Sequence, residues 1–481
     1  MREKMNCFAD KYLVEKANAV YEDLQLDKLL GSGFAQTRLA YRNSYKYYKL
    51  RHHNINVLKI NNMKLLKNLN QMNTASVYIS IPFCLNRCLF CNIHHKKTIK
   101  DTNGNRPIER YLKYLRKEIL LLSQSIDLKK IKIKHVYFGG GTPTILSTEQ
   151  LKSLIAYVHD FFNVDKFANF CIETDPALLK GEKGRRKLEN LKQLGFCRMS
   201  IGVQDFDNET LKMCGRLHSV NDNNESFYNA RKAGFQQINL DLMYGLPGQT
   251  VSSWIQTLRQ AVELSPESID LYRLKFYHKS YPIYKLFKQN PDIFPEEKDL
   301  TVMNIILKEA LSENGYQETY PGLFIRKEVI IEHQYFNKKR EIIGLGMDAR
   351  GQFDNVKYYI EDSKNYFVKL DRNCLPIHKI FRLPKKFLME NEIVTALVFI
   401  KKGLLKKEFR CAFGEDIEER FGRIISSLEK WGLVTQGEIM RLTYKGTLFS
   451  EDVFKAFCTE SFWDKILVEL IAYLKRKHQP I

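Results

Sequence analysis

Three cysteines, Cys84, Cys88 and Cys91, stand in C-x3-C-x2-C spacing on one short segment. Thiolates on so tight a loop can hold three irons of a four-iron cluster and leave the fourth without a protein ligand. An iron left open can bind a substrate or cofactor, as an open zinc position does. The same segment admits a zinc site completed by His94 or His95, since Cys91-x2-His94 is an ordinary ligand separation. A second segment reads Phe138-Gly139-Gly140-Gly141-Thr142-Pro143-Thr144. Its glycines let a backbone approach a ligand with no Cβ in the way, although a glycine run is equally the mark of a tight turn. Glu173, Gln204 and Asp241 each close or sit in a β-branched run, where a single polar residue is usually a cap or turn.

The elements that must position these residues are legible from 77 onward. Apolar, β-branched runs at 77–81, 135–138, 170–173, 198–203, 237–243 and 269–276 alternate with helical patterns at 111–124, 148–162, 184–194, 210–214, 223–233 and 251–264. Strands alternating with helices imply a parallel sheet with right-handed crossovers. Six such units do not close an eight-stranded barrel, so the expected fold is α/β, a partial (β/α)6 TIM-like barrel. Ligand-binding residues in such a fold collect at the C-terminal strand ends. Gly, Glu, Gln and Asp then fall at successive strand ends, facing the cysteine loop. Three units are expected: a basic helical extension (1–74), the barrel core (75–293) and a mostly helical C-terminal domain (294–481) whose residues 403–446 read as winged-helix-like.

The chain has 481 residues, 44% of them hydrophobic and 27% charged, which excludes disorder as its dominant state. No uninterrupted apolar stretch is long enough to span a bilayer, and the N-terminal residues lack a secretory h-region, so a cytoplasmic address is expected. The formal charge of +21 favours an anionic partner, and no Asp or Glu occurs between residues 28 and 100. An AT-rich genome, which inflates Lys, Asn and Ile, explains the same bias. Nucleic acid is not expected, because no RNA-binding module is present. Tyr41, Tyr45, Tyr47 and Tyr48 read as packing of the helical extension, with a substrate entrance as the alternative. The unclustered Cys7, Cys171, Cys197, Cys214, Cys374, Cys411 and Cys458 read as small apolar residues, and His218 and His333 as structural.

Taken in order, segments 78–91, 138–144, 172–175, 200–207, 215–218 and 239–249 resemble the radical S-adenosylmethionine (SAM) superfamily, and within it the HemN-like group. That group holds oxygen-independent coproporphyrinogen III oxidases, haem chaperones and class C radical SAM methyltransferases. The resemblance implies that Cys84, Cys88 and Cys91 ligate a [4Fe-4S] cluster whose open iron takes the amino and carboxylate groups of SAM. It implies SAM contacts at Tyr78, Gly140, Gly141, Thr142, Glu173, Gln204, Arg216 and Asp241, with Asp241 on a ribose hydroxyl and Arg216 on a carboxylate. One electron from the reduced cluster would cleave SAM to methionine and a 5′-deoxyadenosyl radical, the protein supplying position and a dry pocket.

Three departures steer the choice within the group. Coproporphyrinogen oxidases usually carry a further Cys two residues past the third ligand, where this chain has Ile93. Haem chaperones carry a His-Asn-x-x-Tyr-Trp-like motif, matched only imperfectly by His333-Gln334-Tyr335-Phe336 before Gly344-Leu345-Gly346. Tyr272-Arg273-Leu274 on the sixth strand looks more like the class C methyltransferases. The leading expectation is therefore methylation of an sp2 carbon of an aromatic or heteroaromatic substrate, using a second SAM. The alternative is anaerobic porphyrin or haem chemistry on a tetrapyrrole. An acidic electron donor such as a flavodoxin is the expected partner. Residues 462–478 form an amphipathic stripe with a basic end, read as packing or as a contact peripheral to an anionic membrane.

Overall fold

The computed structural model describes residues 10–31, 72–91, 97–98, 106–276, 279–329, 341–435 and 437–458. Strand β1 (Thr74–Ile81) buries Ala75, Val77 and Ile79 on one face and turns Tyr78 and Ser80 to the other. Strands β2 (Lys132–Gly140), β3 (Asn163–Thr174), β4 (Phe196–Gln204), β5 (Gln237–Tyr244) and β6 (Ser268–Arg273) then lie side by side in chain order. Every neighbouring pair among them is parallel. Helices cross between them, and three start where a capping box is written into the sequence. Ser147 caps Thr148–Phe161, Ser219 caps Val220–Lys232 and Thr250 caps Val251–Leu264, each exchanging hydrogen bonds with the residue three ahead. This is the alternating α/β core expected from the sequence.

Six short strands beyond residue 293 were not anticipated: β7 (Tyr316–Tyr320), β8 (Leu323–Arg326), β9 (Ile342–Leu345), β10 (Arg350–Phe353), β11 (Val356–Ile360) and β12 (Ile377–Arg382). Strand β9 returns to β1 and pairs with it in parallel, Tyr78 opposite Gly344. Strand β8 extends the other edge antiparallel to β6, and β7 pairs antiparallel with β8. Among the described residues the sheet has twelve strands in the order β12-β11-β10-β9-β1-β2-β3-β4-β5-β6-β8-β7, and its two ends do not pair, so the barrel stays open there. The units expected at 75–293 and 294–481 thus share one sheet. The helical C-terminal region follows at Lys385–Val398, Lys406–Phe413 and Ile417–Lys430, with a small hairpin from Leu404–Leu405 and Ile439–Met440.

Of the expected N-terminal extension, helix Asp10–Asp23 is described. It buries Leu13, Ala17 and Tyr21, and its Lys16 reaches Glu309 and Glu313 of helix Glu297–Glu313 at 2.9 and 2.5 Å. The expectations placed on Tyr41, Tyr45, Tyr47, Tyr48, Ile93, His94, His95, His333 and residues 462–478 fall outside the described residues. Among the described residues no helix is long and apolar enough to cross a membrane.

Candidate active site

The cysteine loop is clamped from two sides. At the end of β2 the chain turns through Gly140 at φ +102°, and the Gly141 and Thr142 N–H groups donate to the Ile81 and Phe83 carbonyls at 2.8 and 2.7 Å. A Cβ on residue 141 would collide with both carbonyl oxygens, so glycine is needed here for two backbones to meet. The Thr142 hydroxyl lies 3.2 Å from Cys84 Sγ. On the other side Leu89 N–H donates to the Cys214 carbonyl at 3.0 Å, and the Asn86 amide donates to the Gly215 carbonyl. Cys84, Cys88 and Cys91 are buried and form no disulfide. Gly141 and Thr142 are expected as SAM contacts, and their backbone N–H groups are engaged with this loop.

Arg216 follows directly on that clamp. Its Nη1 donates to Cys88 Sγ at 3.3 Å, while Nη2 donates to the Gly202 carbonyl at 2.5 Å and meets Asp175 Oδ2 at 3.0 Å. Its Nε is buried with no hydrogen-bond partner among the described residues, one donor left over for a ligand. Burial alone would raise the Asp175 carboxyl, but the Arg216 guanidinium beside it holds it well below the usual carboxylate range. His218 Nε2 lies 3.1 Å from the Val203 carbonyl, which fixes the proton on Nε2 and leaves Nδ1 to accept from Arg216 at 3.3 Å. Burial lowers the His218 pKa, in keeping with a neutral ring. The structural role expected for His218 thus lies within the site's own scaffold.

Inside the barrel the strands present a ladder of polar groups. The rings of Tyr78 and Tyr137 stack at 6.0 Å, and Tyr137 donates to Glu173 Oε1 at 2.9 Å. Gly140 N–H donates to the other Glu173 oxygen at 3.2 Å. On the next strands Ser200 Oγ donates to Asp241, and the single amide of Asn239 donates to Ser200 at 2.8 Å, Asp241 at 2.9 Å and Asp270 at 3.3 Å. Burial pushes the Asp241 carboxyl well up, and nearby Asp270 and Glu173 add to it. Asp270 is pushed up to about 6 by burial, with Arg198 and Asn239 acting against the rise. Ser268, Asp270 and Tyr272 alternate onto this face of β6, and Tyr272 is half exposed at the mouth. A chamber lined by Glu173, Asp241 and Asp270 favours a cationic ligand. Gln204 ends β4 in the left-handed region at φ +70°, the strained backbone often met at functional sites.

The expected residues therefore form two groups: Tyr78, Gly140, Glu173 and Asp241 in the chamber, and Gly141, Thr142 and Arg216 against the cysteine loop. Sequence reasoning did not single out Asp175, Ser200, Asn239 or Asp270. The one signal for them was their place inside the segments around the expected contacts. Arg273 faces away from the chamber chemistry, making a two-oxygen ion pair with Glu297 at 2.6 Å, so the Tyr-Arg-Leu triplet owes its arginine to the scaffold.

Three soft thiols, with Thr142 and Arg216 beside two of them, suit an iron–sulfur cluster. Among the described residues no group of three His, Cys, Asp or Glu gathers tightly enough for a single ion, and thiols gripping separate irons need not converge on one point.

Residues 78–261 match the model of the radical SAM superfamily. These residues form a radical SAM domain, of a class that uses a [4Fe-4S] cluster and SAM. Within it the chain is HemN-like. It is 28% identical over 389 residues to the haem chaperone HemW of Bacillus subtilis, covering 80% of this chain and 99% of that protein. It is 26% identical over 407 residues to an oxygen-independent coproporphyrinogen III oxidase of Synechocystis, covering 80% and 84%. Among solved structures, the coproporphyrinogen III oxidase HemN from Escherichia coli superposes with a TM-score of 0.74 at 24% identity, over 86% of this chain and 97% of that one. These relatives are haem chaperones and coproporphyrinogen oxidases. The preference for a methyltransferase finds no support among them, and the porphyrin alternative does.

Proposed function

We propose that this protein is a radical SAM enzyme acting on a tetrapyrrole, in the manner of a coproporphyrinogen III oxidase. The observation that carries the reading is the extent of the match. Relatives named for coproporphyrinogen and for haem align over most of their own length, 84% and 99% in the two cases above. Cys84, Cys88 and Cys91 would hold the cluster, which when bound supplies the electron for reductive cleavage of SAM. The chain's own work is positional. Glu173 and Asp241 are placed to accept hydrogen bonds from ligand hydroxyls, Tyr78 offers a ring face, and Arg216 Nε–H offers a donor. Tyr272 at the mouth gives a flat apolar face to a large ring. An acidic electron donor such as a flavodoxin suits the +21 charge, and a membrane-peripheral location rests on residues 462–478.

The test is anaerobic incubation of the reconstituted protein with SAM, a reductant and coproporphyrinogen III, followed by mass spectrometry. Formation of 5′-deoxyadenosine with loss of CO2 from the porphyrinogen is the expected result. Haem binding without decarboxylation would move the reading to a chaperone, as the HemW match allows. Excess S-adenosylhomocysteine would restore methyl transfer.

A further inference from the structure

We propose that Asp175 is a positioning residue which, through Arg216, sets the reduction potential of the cluster. The inference rests on the reading that Cys88 ligates that cluster. The Arg216 side chain is 7% exposed and that of Asp175 12%, so the pair is withdrawn from solvent. A buried guanidinium needs its donors filled and its charge matched. Nη2 donates to the Gly202 carbonyl at 2.5 Å and lies against Asp175 Oδ2 at 3.0 Å as an ion pair, and this aims Nη1 at Cys88 Sγ, 3.3 Å away. The Nδ1 lone pair of His218 supplies a third restraint at 3.3 Å. Asp175 is itself fixed, since its Oδ1 accepts from Ala177 N–H at 3.0 Å. The guanidinium therefore reaches the thiol in one orientation.

A hydrogen bond and a positive charge at a ligand sulfur favour the more electron-rich, reduced cluster, so Arg216 raises its potential. Asp175 could affect the cluster in two ways of opposite sign. As a bare negative charge it would lower the potential, and removing it would raise it. As the group that aims Arg216 it sustains the potential, and removing it lowers it. The sign decides between them.

The experiment is a redox titration of the anaerobically reconstituted full chain, followed by electron paramagnetic resonance without SAM, so that ligand binding does not enter. Arg216→Gln is expected to lower the ratio of reduced to oxidised cluster at fixed potential about tenfold, which is about 59 mV for a one-electron couple. Asp175→Asn, nearly isosteric, is expected to move the ratio the same way by a smaller factor, and the double variant to match Arg216→Gln alone. Arg216→Lys keeps the charge without the planar fork and serves if Arg216→Gln does not hold iron; it too is expected to lower the ratio. A rise in Asp175→Asn, or wild-type behaviour in Arg216→Lys and Asp175→Asn, overturns the inference. A wild-type chain that takes up no cluster overturns the ligand assignment with it, whereas an intact cluster indifferent to these substitutions overturns this inference alone.

Discussion

Two buried carboxylates, one in the site and one in the scaffold, are handled in opposite ways. Asp175 sits against Arg216 and stays ionised. Glu118, on helix Arg106–Ser125, accepts from Tyr366 Oη at 2.6 Å and Gly346 N–H at 2.9 Å, and is only 1% exposed. Burial pushes its carboxyl up to about 7, the two hydrogen bonds moderating the rise. The neutral acid ties a helix to the turn after β9 and to helix Ser363–Asp371. The charged one holds a guanidinium to a direction. A carboxylate kept ionised in the interior costs desolvation and is sustained only by a partner, so it marks the place where orientation matters more than adhesion.

The largest expected effect breaks the site side of this contrast. Replacing Cys84, Cys88 or Cys91 by Ala should abolish reductive cleavage of SAM, measured as 5′-deoxyadenosine, while the fold holds by circular dichroism. Stoichiometric zinc with no iron in the anaerobically purified wild type would sink the cluster assignment.

Next comes the scaffold side. Glu118 has a folded pKa raised from 4.5 to about 7, so its contribution to stability is fully present below about pH 4.5 and is lost as pH rises through 7. Glu118→Gln keeps an acceptor without the charge. At pH 8 it should be more stable than wild type by up to about 3 kcal/mol, and it should show a flatter stability profile between pH 4.5 and 7. Denaturant melts at several pH values check this. Equal slopes in the two proteins would mean that Glu118 does not titrate there.

A smaller effect is expected in the chamber. Glu173→Ala and Asp241→Ala should each weaken SAM binding by about 1–3 kcal/mol with iron content unchanged. Calorimetry with SAM reads it, and normal affinity in both variants would reduce these carboxylates to strand-end caps.

What the sequence showed and what it hid follow from the range of the interactions. The cysteine spacing and the Gly-Gly-Gly turn are local, and they survived into the structure as a loop and a close backbone approach. The strand ends were legible because the period changes there. Asp175 and Arg216 meet only once β3 and β4 are side by side, and nothing near either residue announces the other. Strands β7 to β12 are four to six residues each, too short for their alternation to stand out from turns. Glu118 lies in a helix rich in charge, where a glutamate reads as solvated. It is buried because Tyr111, Leu115, Ile119 and Leu122 share its face.

The finest test concerns Tyr366, whose hydroxyl is a main polar partner of Glu118. Tyr366→Phe removes one oxygen and leaves the ring in place, so packing is nearly unchanged. A hydrogen bond to an ionised carboxylate is stronger than one to the neutral acid, so its loss disfavours the ionised form and raises the Glu118 pKa further. The variant should lose about 1 kcal/mol at pH 5 and more at pH 8, and its decline in stability should continue to higher pH than in wild type. Asp175 predicts the opposite pattern. Its folded pKa is depressed, so its contribution is present above the ordinary carboxylate range and is lost only as the solution becomes strongly acid. Asp175→Asn should therefore cost nearly the same stability at pH 5 and pH 8. If Tyr366→Phe also costs the same at the two pH values, the scaffold acid is not the neutral group described above, and the contrast between the two carboxylates fails.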